Sequence, residues 1–386
     1  MQTWRECNLG DVINLKRGYD LPRQDRMLGS VPIVSSSGVT DYHAEAKVKG
    51  PGVVTGRYGT LGEVFYIEED FWPLNTSLYV QDFKGNDPRF ISYFLRQLNF
   101  GTRNAAGAVP GVNRNHLHAM KVLVPPLPIQ RRVAGILSAY DDLIENNHRR
   151  IKILEEMARS LYREWFINFR FPGHEKVPLV DSPLGSIPKG WEVKKLGQLC
   201  AVVPGFAFKS QAWQDFGVPV IKIKNIQNDN NVEISDTEFV SEELASRTPA
   251  KFVLNNGDFL LAMTGATAGK IGRLRSQRPM LLNQRVAKIL PRDGSASFVW
   301  CAISSEESKD RFFRLADGAA QPNMSGSQVE GVKLVTPPRD LLNSFSRLTE
   351  AMLAQTDSLY LKNLNLRRSR DVLLPRLLSE EIALAL

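Results

Sequence analysis

Two stretches of the chain carry apolar residues at helical spacing and are almost free of Pro and Gly: PIQRRVAGILSAYDDLIENNHRRIKILEEMARSLYREWF and RDLLNSFSRLTEAMLAQTDSLYLKNLNLRRSRDVLL. In the first, Ile136, Tyr140, Leu143, Asn147, Leu154, Ala158, Leu161 and Trp165 recur at three- and four-residue steps with one gap. In the second, Leu348, Met352, Gln355, Leu359 and Leu366 do so less regularly. Both predict long helices, each stripe needing a partner; Asn147 within the first is either a buried amide that costs stability while fixing register or an exposed residue at a local break of the stripe. Pro172 is expected to stop the first helix, and Pro337-Pro338 and Pro375 to bracket the second. About 36 residues at 1.5 Å each give roughly 54 Å of helix. Elsewhere, short β-branched and aromatic runs such as GVVTGRYG, GEVFYI, SLYV, FVLNNGDFLLAMTG and VAKILP are separated by Gly, Asn and Pro turns and predict strands.

The chain repeats itself. Trp4, Leu9 and Gly10 recur as Trp191, Leu196 and Gly197, and Val31-Pro32-Ile33 as Val218-Pro219-Val220, at an offset of 187. Asn75 matches Asn283 and Phe90 matches Phe298 at 208, and Pro125-Pro126 matches Pro337-Pro338 at 212. The growing offset predicts insertions in the second copy between Asn225 and Glu243. Each copy is thus a strand-rich α+β domain followed by one long helix: 1–128 with 129–170, then a connector and second domain over 171–337 with 338–386. Copies related by a pseudo-twofold axis would pair their helices as an antiparallel coiled coil and hold the domains several tens of ångströms apart, somewhat more than a DNA turn of about 34 Å.

Charge then selects the partner class. Of the 386 residues, 49 are Lys or Arg and 41 Asp or Glu, a net charge of +8. From Pro88 to Tyr140 no acidic residue occurs against seven basic ones, and from Met263 to Arg292 again none, against Lys270, Arg273, Arg275, Arg278, Arg285, Lys288 and Arg292. Such windows point to a polyanion, nucleic acid above all. No run reaches the roughly 18 apolar residues of a membrane span and the start lacks the layout of a secretory signal, so a cytoplasmic protein without membrane contact is expected. Cys7, Cys200 and Cys301 form no C-x-x-C pair and are expected to be reduced structural thiols.

Catalytic chemistry finds no carrier. Gly265-Ala-Thr-Ala-Gly-Lys270 departs from a phosphate-binding loop: three residues separate its glycines, Ile271 stands where Ser or Thr would hold magnesium, and strand-like sequence flanks it. Asp181 with Glu192 and Lys194 could suggest a nuclease, but Asp181 lies in a Pro-rich connector and the first copy keeps no equivalent lysine. His116 and His118 form the one close histidine pair, and no histidine follows His174, so a duplicated histidine-metal site is excluded. A methyltransferase would need a glycine-rich cofactor loop and an Asn/Asp-Pro-Pro-aromatic motif; VPPL and TPPR are helix-entry punctuation instead. No catalytic residue and no metal ligand is expected.

PPLPIQ before the first helix, LYREWF near its end and DSPLGSIPKGWEVKKLG opening the second copy resemble, in that order, the specificity subunit of type I restriction-modification systems, over essentially the whole chain. The resemblance implies two target recognition domains, each reading half of a bipartite double-stranded DNA sequence, and helices that set the spacing and dock modification methyltransferase subunits, two of them. Restriction and translocase subunits would add to these, and S-adenosylmethionine, ATP and Mg would belong to those partners, with no cofactor in this chain. Gln130 fits the family's pattern after the first Pro-Pro pair, whereas the second copy has Arg339-Asp340-Leu341-Leu342. Leu161, Phe166 and Leu378 are candidates for the docking surface, with helix core packing as the alternative.

DNA contact is expected from loops that combine charge with flexible polar groups. In the first copy these are Ser35, Ser36, Ser37, Arg57, Tyr58, Thr60, Asn75 and the loop from Gly107 to Asn113. In the second they are Lys222, Lys224, Asn225, Thr264, Thr267, Lys270, Asn283, Gln284, Arg285 and Asn323. A protein-binding adaptor that ignores DNA, or a nuclease acting through Asp181, Glu192 and Lys194, are the rival readings.

Overall fold

The computed structural model describes residues 4–58, 62–98, 111–292, 294–316 and 323–379. Two compact units emerge, Met1–Ile144 with Asn365–Leu386, and Glu145–Leu364. The cut falls inside both long helices, so each unit is a strand-rich domain with a stretch of both helices, a division that domain-plus-helix boundaries along the chain do not follow.

In the first unit β1 (Arg5–Asn8) leads through the short helix α1 (Leu9–Val12) into β2 (Asn14–Arg17), β3 (Val31–Ser35), β4 (Gly38–His43), β5 (Gly52–Gly56), β6 (Val64–Ile67), β7 (Trp72–Pro73) and β8 (Ser77–Asp82). Helices α2 (Pro88–Gln97) and α3 (Arg114–His118), strand β9 (Lys121–Val124) and the long helix α4 (Leu127–Tyr162) follow. Strands order as β2-β8-β5-β6 in one sheet and β4-β3-β7 in another, while β1 pairs with β9. α2 starts where its sequence says it should: the Asp87 carboxylate accepts the Phe90 N–H at 2.8 Å and Pro88 takes the first turn. That helix turns Phe90, Ile91 and Phe94 onto Leu15, Val53, Leu78 and Val80 of the larger sheet.

The second unit follows the same plan after a small hairpin of β10 (Leu179–Val180) and β11 (Ile187–Pro188). Its elements are β12 (Glu192–Lys195), β13 (Cys200–Pro204), β14 (Val218–Ile221), β15 (Glu238–Val240), α5 (Glu242–Arg247), β16 (Val253–Leu254), β17 (Phe259–Ala262), β18 (Ile271–Arg273), β19 (Met280–Leu282) and β20 (Val286–Pro291). They continue with α6 (Ala296–Ile303), α7 (Glu306–Leu315), α8 (Gly326–Glu330), β21 (Lys333–Thr336) and α9 (Arg339–Leu377). The order β13-β20-β17-β18 copies β2-β8-β5-β6, β15-β14-β19 copies β4-β3-β7, and β12 pairs with β21 as β1 does with β9. Even the parallel pairing of β3 with β7 recurs between β14 and β19. The duplication read from scattered identities is therefore a duplication of fold. The inserted residues are where they were expected: residues 36–37 connect β3 to β4, whereas residues 222–237 connect β14 to β15.

Both long helices form. α4 ends in a π-helical turn, Arg163–Ile167, which delivers Trp165 and Phe166 to the core of the second unit. Pro375 lies inside α9 and does not close it; in the last turn few carbonyls remain to lose a partner. Within each unit the helices run antiparallel, Asn147 against Asn363 in one and Asp141 against Arg370 in the other. Their buried stripes differ from the predicted phase in part. On α4 the seam before Asn147 is Val133, Leu137 and Ile144, while Leu143 is exposed. On α9 it is Phe345, Thr349, Leu353, Thr356, Leu359 and Asn363, while Leu348 faces solvent. A count of apolar residues passes over Thr349 and Thr356, which can be buried because their hydroxyls donate to the carbonyls of Phe345 and Leu353. Phe166 and Leu378 are buried and Leu161 packs on the core, so these three are helix core and not a docking surface. Exposed apolar side chains on the helices are Leu143, Ile153, Met157, Leu348 and Val372.

Candidate nucleic-acid interface

In each unit the same five chain segments meet at one rim, joined by backbone hydrogen bonds. In the first, Leu74 N–H donates to Val34 at the end of β3, Asn75 N–H to Tyr19, Arg57 N–H to Thr76, and Val112 N–H to Arg57, at 2.8–3.0 Å. In the second, Asn283 N–H donates to Ile221, Met263 N–H to Arg285, and Met324 N–H to Met263, at 3.0–3.1 Å. Close approach makes glycine necessary at the base of both rims. A Cβ on Gly18 would lie 2.2 Å from the Leu74 carbonyl oxygen, and one on Gly205 2.1 Å from that of Asn283.

These bonds also revise the alignment of the copies. Tyr19 N–H bonds Pro73 as Phe206 N–H bonds Leu282, and Gly18 N–H bonds Ser77 as Gly205 N–H bonds Val286. Leu74 is thus the counterpart of Asn283, Asn75 of Gln284 and Thr76 of Arg285, one residue from the match that two asparagines suggest. Likewise Tyr58 bridges to Gly111 where Thr264 bridges to Asn323.

The structure brings most of the expected residues to these rims. Ser35, Ser36 and Ser37 form the tight β3–β4 turn, the hydroxyls of Ser35 and Ser37 2.9 Å apart, with Gly38 at φ 97°. Arg57 stacks on the exposed ring of Tyr58, 4.6 Å from its centre. Asn113 caps α3 by accepting the Asn115 N–H at 2.9 Å, and the Asn75 amide donates to Asp20. Thr60 lies outside the described residues, as do residues 107–110 of the loop before Asn113. In the second unit Gln284, Arg285 and Asn323 are exposed, and Thr264, Thr267 and Lys270 half-buried. The Gly265–Thr267 turn is a 3-10 turn between β17 and β18, so a strand and no helix follows Lys270, unlike a phosphate-binding loop.

Four expected residues take structural tasks instead. The Asn225 side chain is buried, accepting from Lys222 N–H at 2.9 Å and donating to the carbonyls of Glu233 at 2.9 Å and Asp236 at 3.0 Å; it organises the inserted segment and offers no free edge to a base. Lys222 lies over the Trp213 ring at 3.4 Å and pairs with Glu238, whose carboxyl this bond holds below its ordinary pKa. Lys224 pairs with Asp236 at 3.1 Å. Asn283 is 8% exposed, its place in the parallel β14–β19 corner leaving Gln284 and Arg285 to face outward.

Tertiary structure redistributes the basic windows as well. Arg273 and Arg275 are buried against Asp357, and Arg275 also meets Glu155 at 3.0 Å. Lys288 meets Asp258 at 2.7 Å, and Arg89 meets Glu68 at 2.9 Å and Asp142 at 2.6 Å. Those cations are neutralised by acids distant in sequence, which a linear window cannot register. Among the described residues Arg57, Arg114, Lys121, Lys270, Arg278, Arg285 and Arg292 make no ion pair. The supposed nuclease groups do not gather around a metal: Lys194 pairs with Glu192 on β12 at 2.9 Å and Asp181 accepts from Ser186. His118 is a structural acceptor, its Nε2 taking the Leu15 N–H at 2.9 Å, and burial lowers its pKa.

Comparison with known proteins decides what such a duplicated rim belongs to. The profile of the type I restriction modification DNA specificity domain matches residues 1–156 and again 188–340. The chain belongs to that family. This specificity protein is 24% identical over 356 residues to the type I restriction enzyme MjaVIII specificity subunit of Methanocaldococcus jannaschii, covering 87% of this chain and 83% of that one. It is 21% identical to the HindI specificity subunit of Haemophilus influenzae, over 99% of this chain and all of that one. Its fold matches the crystal structure of a type I restriction-modification S subunit from M. genitalium with a TM-score of 0.65 at 17% identity, covering 100% and 97% of the two chains. One profile match falls in each of the two copies read from the sequence, and each match contains one rim.

Proposed function

We propose that this protein reads DNA sequence for a type I restriction-modification complex, each domain reading one half of a bipartite duplex target through its rim, without catalysing any step itself. The duplicated rim carries this reading. One backbone framework presents different side chains in the two copies, Asn75 and Thr76 with Arg57 and Tyr58 in the first, Gln284 and Arg285 with Thr264 and Lys270 in the second. Arg and Gln can make bidentate contacts to guanine and adenine edges, and Lys and turn amides fix phosphates. A shared frame with unlike readers suits two unlike half-sites. The helices set the spacing between halves and carry the modification methyltransferase subunits, two of them, with restriction and translocase subunits joining. Ile153 and Met157, one turn apart on α4 and both exposed, offer apolar surface for that docking. S-adenosylmethionine, ATP and Mg act in those partners, in the cytoplasm.

The test is a base-resolution map of methylated DNA in cells with and without this chain. Loss of a split motif, two defined halves around a fixed unspecified gap, is expected on deletion. A methylation pattern unchanged by deletion, with DNA binding by the reconstituted complex that is absent or indifferent to salt, would support the adaptor reading instead.

A further inference from the structure

The helices α4 and α9 are copies of each other, and their buried positions match at an offset of 212: Val133 with Phe345, Ala134 with Ser346, Leu137 with Thr349, Ile144 with Thr356 and Ile151 with Asn363. Copies that pair antiparallel along the same stripe are self-complementary by design. Geometrically α4 could take a second α4, and α9 a second α9, from another copy of the chain. At one layer this symmetry fails. Asn147 and Asn363, 3% and 2% exposed, face each other across the pair, the Asn147 amide donating to the Asn363 carbonyl oxygen at 2.8 Å. The positions that the repeat makes equivalent to them are Leu359 and Ile151, both buried and both apolar.

We infer that the Asn147–Asn363 pair makes each long helix accept the other helix of this chain and reject its own counterpart from a second copy. In the observed pairing the residue numbers of facing positions sum to 510, since 147 faces 363, which sets 151 opposite 359. The repeat then dictates the like-with-like pairings: Asn147 of one α4 would face Ile151 of the other, and Asn363 of one α9 would face Leu359 of the other. Each such pair buries two amides opposite apolar side chains, without the bond that Asn147 and Asn363 make to each other. An orphaned buried amide lowers a pairing equilibrium roughly tenfold to a hundredfold, and a lone polar layer of this kind is known to set partner choice in helix pairs. In the native pairing the two amides bond one another, so discrimination arises at one layer, while the hydroxyls of Thr349 and Thr356 in the same stripe bond carbonyls of their own helix. A specificity protein that dimerised through like helices would present two identical domains to DNA, so partner choice by the helices protects the combination of unlike readers.

The experiment uses the full chain. Asn147→Leu with Asn363→Ile gives each helix the residues of its copy and removes the discrimination. Sedimentation velocity over a concentration series should show self-association roughly a hundredfold tighter than in the parent protein, with helical circular dichroism retained. Adding Ile151→Asn and Leu359→Asn moves the amide pair to the symmetry-related layer, and self-association should return to the parent level. A folded double variant that associates no more than the parent, or a four-site variant that associates as strongly as the double, overturns the inference. If the double variant does not fold, Asn363→Ile alone, which frees α9 for like pairing, is compared with the parent, and unchanged association again overturns it.

Discussion

Removing the carboxylate of Asp357 should destabilise the second unit strongly. Asp357, on α9, accepts from Arg273 Nε at 2.9 Å and Nη2 at 2.6 Å, and from Arg275 Nε at 3.2 Å. Its side chain is 11% exposed, those of Arg273 and Arg275 10% and 4%. The two guanidiniums are further held by aromatic faces, Arg275 over Tyr360 at 4.4 Å and Arg273 over Phe259 at 5.3 Å, so they cannot swing out to water without losing packing. With alanine at 357, Glu155 remains as the only carboxylate for both cations among the described residues, bonded to Arg275 alone at 3.0 Å. Breaking one partner out of a buried ion cluster costs about 3–5 kcal/mol, because the remaining charge stays desolvated. Urea unfolding of the full chain, followed by tryptophan fluorescence with Trp300 beside Arg273 as local reporter, measures this. Replacing the whole cluster, Asp357→Leu and Glu155→Gln with Arg273→Met and Arg275→Leu, should recover most of the loss, since no charge is then stranded. A loss below about 1 kcal/mol for Asp357→Ala would refute the reasoning, placing the cluster among solvent-screened pairs.

Four further outcomes are expected. Arg57→Glu should weaken binding to the half-site read by the first domain and leave the base preference at the other half unchanged, and altered bases at both halves in a selection experiment would contradict two independent readers; Lys270→Ala should lower affinity evenly across sequences and reduce the salt slope by about one. Gly205→Ala should destabilise the second domain and Gly18→Ala the first, each Cβ meeting a backbone carbonyl that cannot yield, as read from separate thermal transitions or proteolysis of each unit. His118 has its pKa lowered by burial, with Arg114 and Lys84 adding to the effect, so the folded state prefers the neutral ring that accepts from Leu15. Its contribution is complete above the ordinary histidine pKa of about 6.5 and is lost as pH falls through the lowered one; melting temperature should drop on acidification, and less so in His118→Gln.

Patterns carried by period and repetition are legible in the order of residues alone. The long helices, the duplication and the place of the insertion follow from spacing along the chain, because helical phase and an internal copy are properties of sequence order, whereas Asn363 across the helix pair decides that Asn147 is buried. Gln130 is legible there only as a family feature, and its contacts explain why the second copy lacks it. Its buried amide donates to Asn86 Oδ1 and Pro125 O and accepts the Asp87 N–H, while at the equivalent place Leu342 packs on the core and Ser346 ties the Gly294 carbonyl instead. Which basic residues stay free and which asparagine is spent on folding the chain depend on partners that the fold brings near, twelve positions away for Lys224 and Asp236 and more than eighty for Arg273 and Asp357. Ion pairing and desolvation are decided by distance in space, and the sequence contains that distance only through the fold. Composition therefore pointed to a polyanion, and the tertiary structure decided which basic side chains are left without an acidic partner.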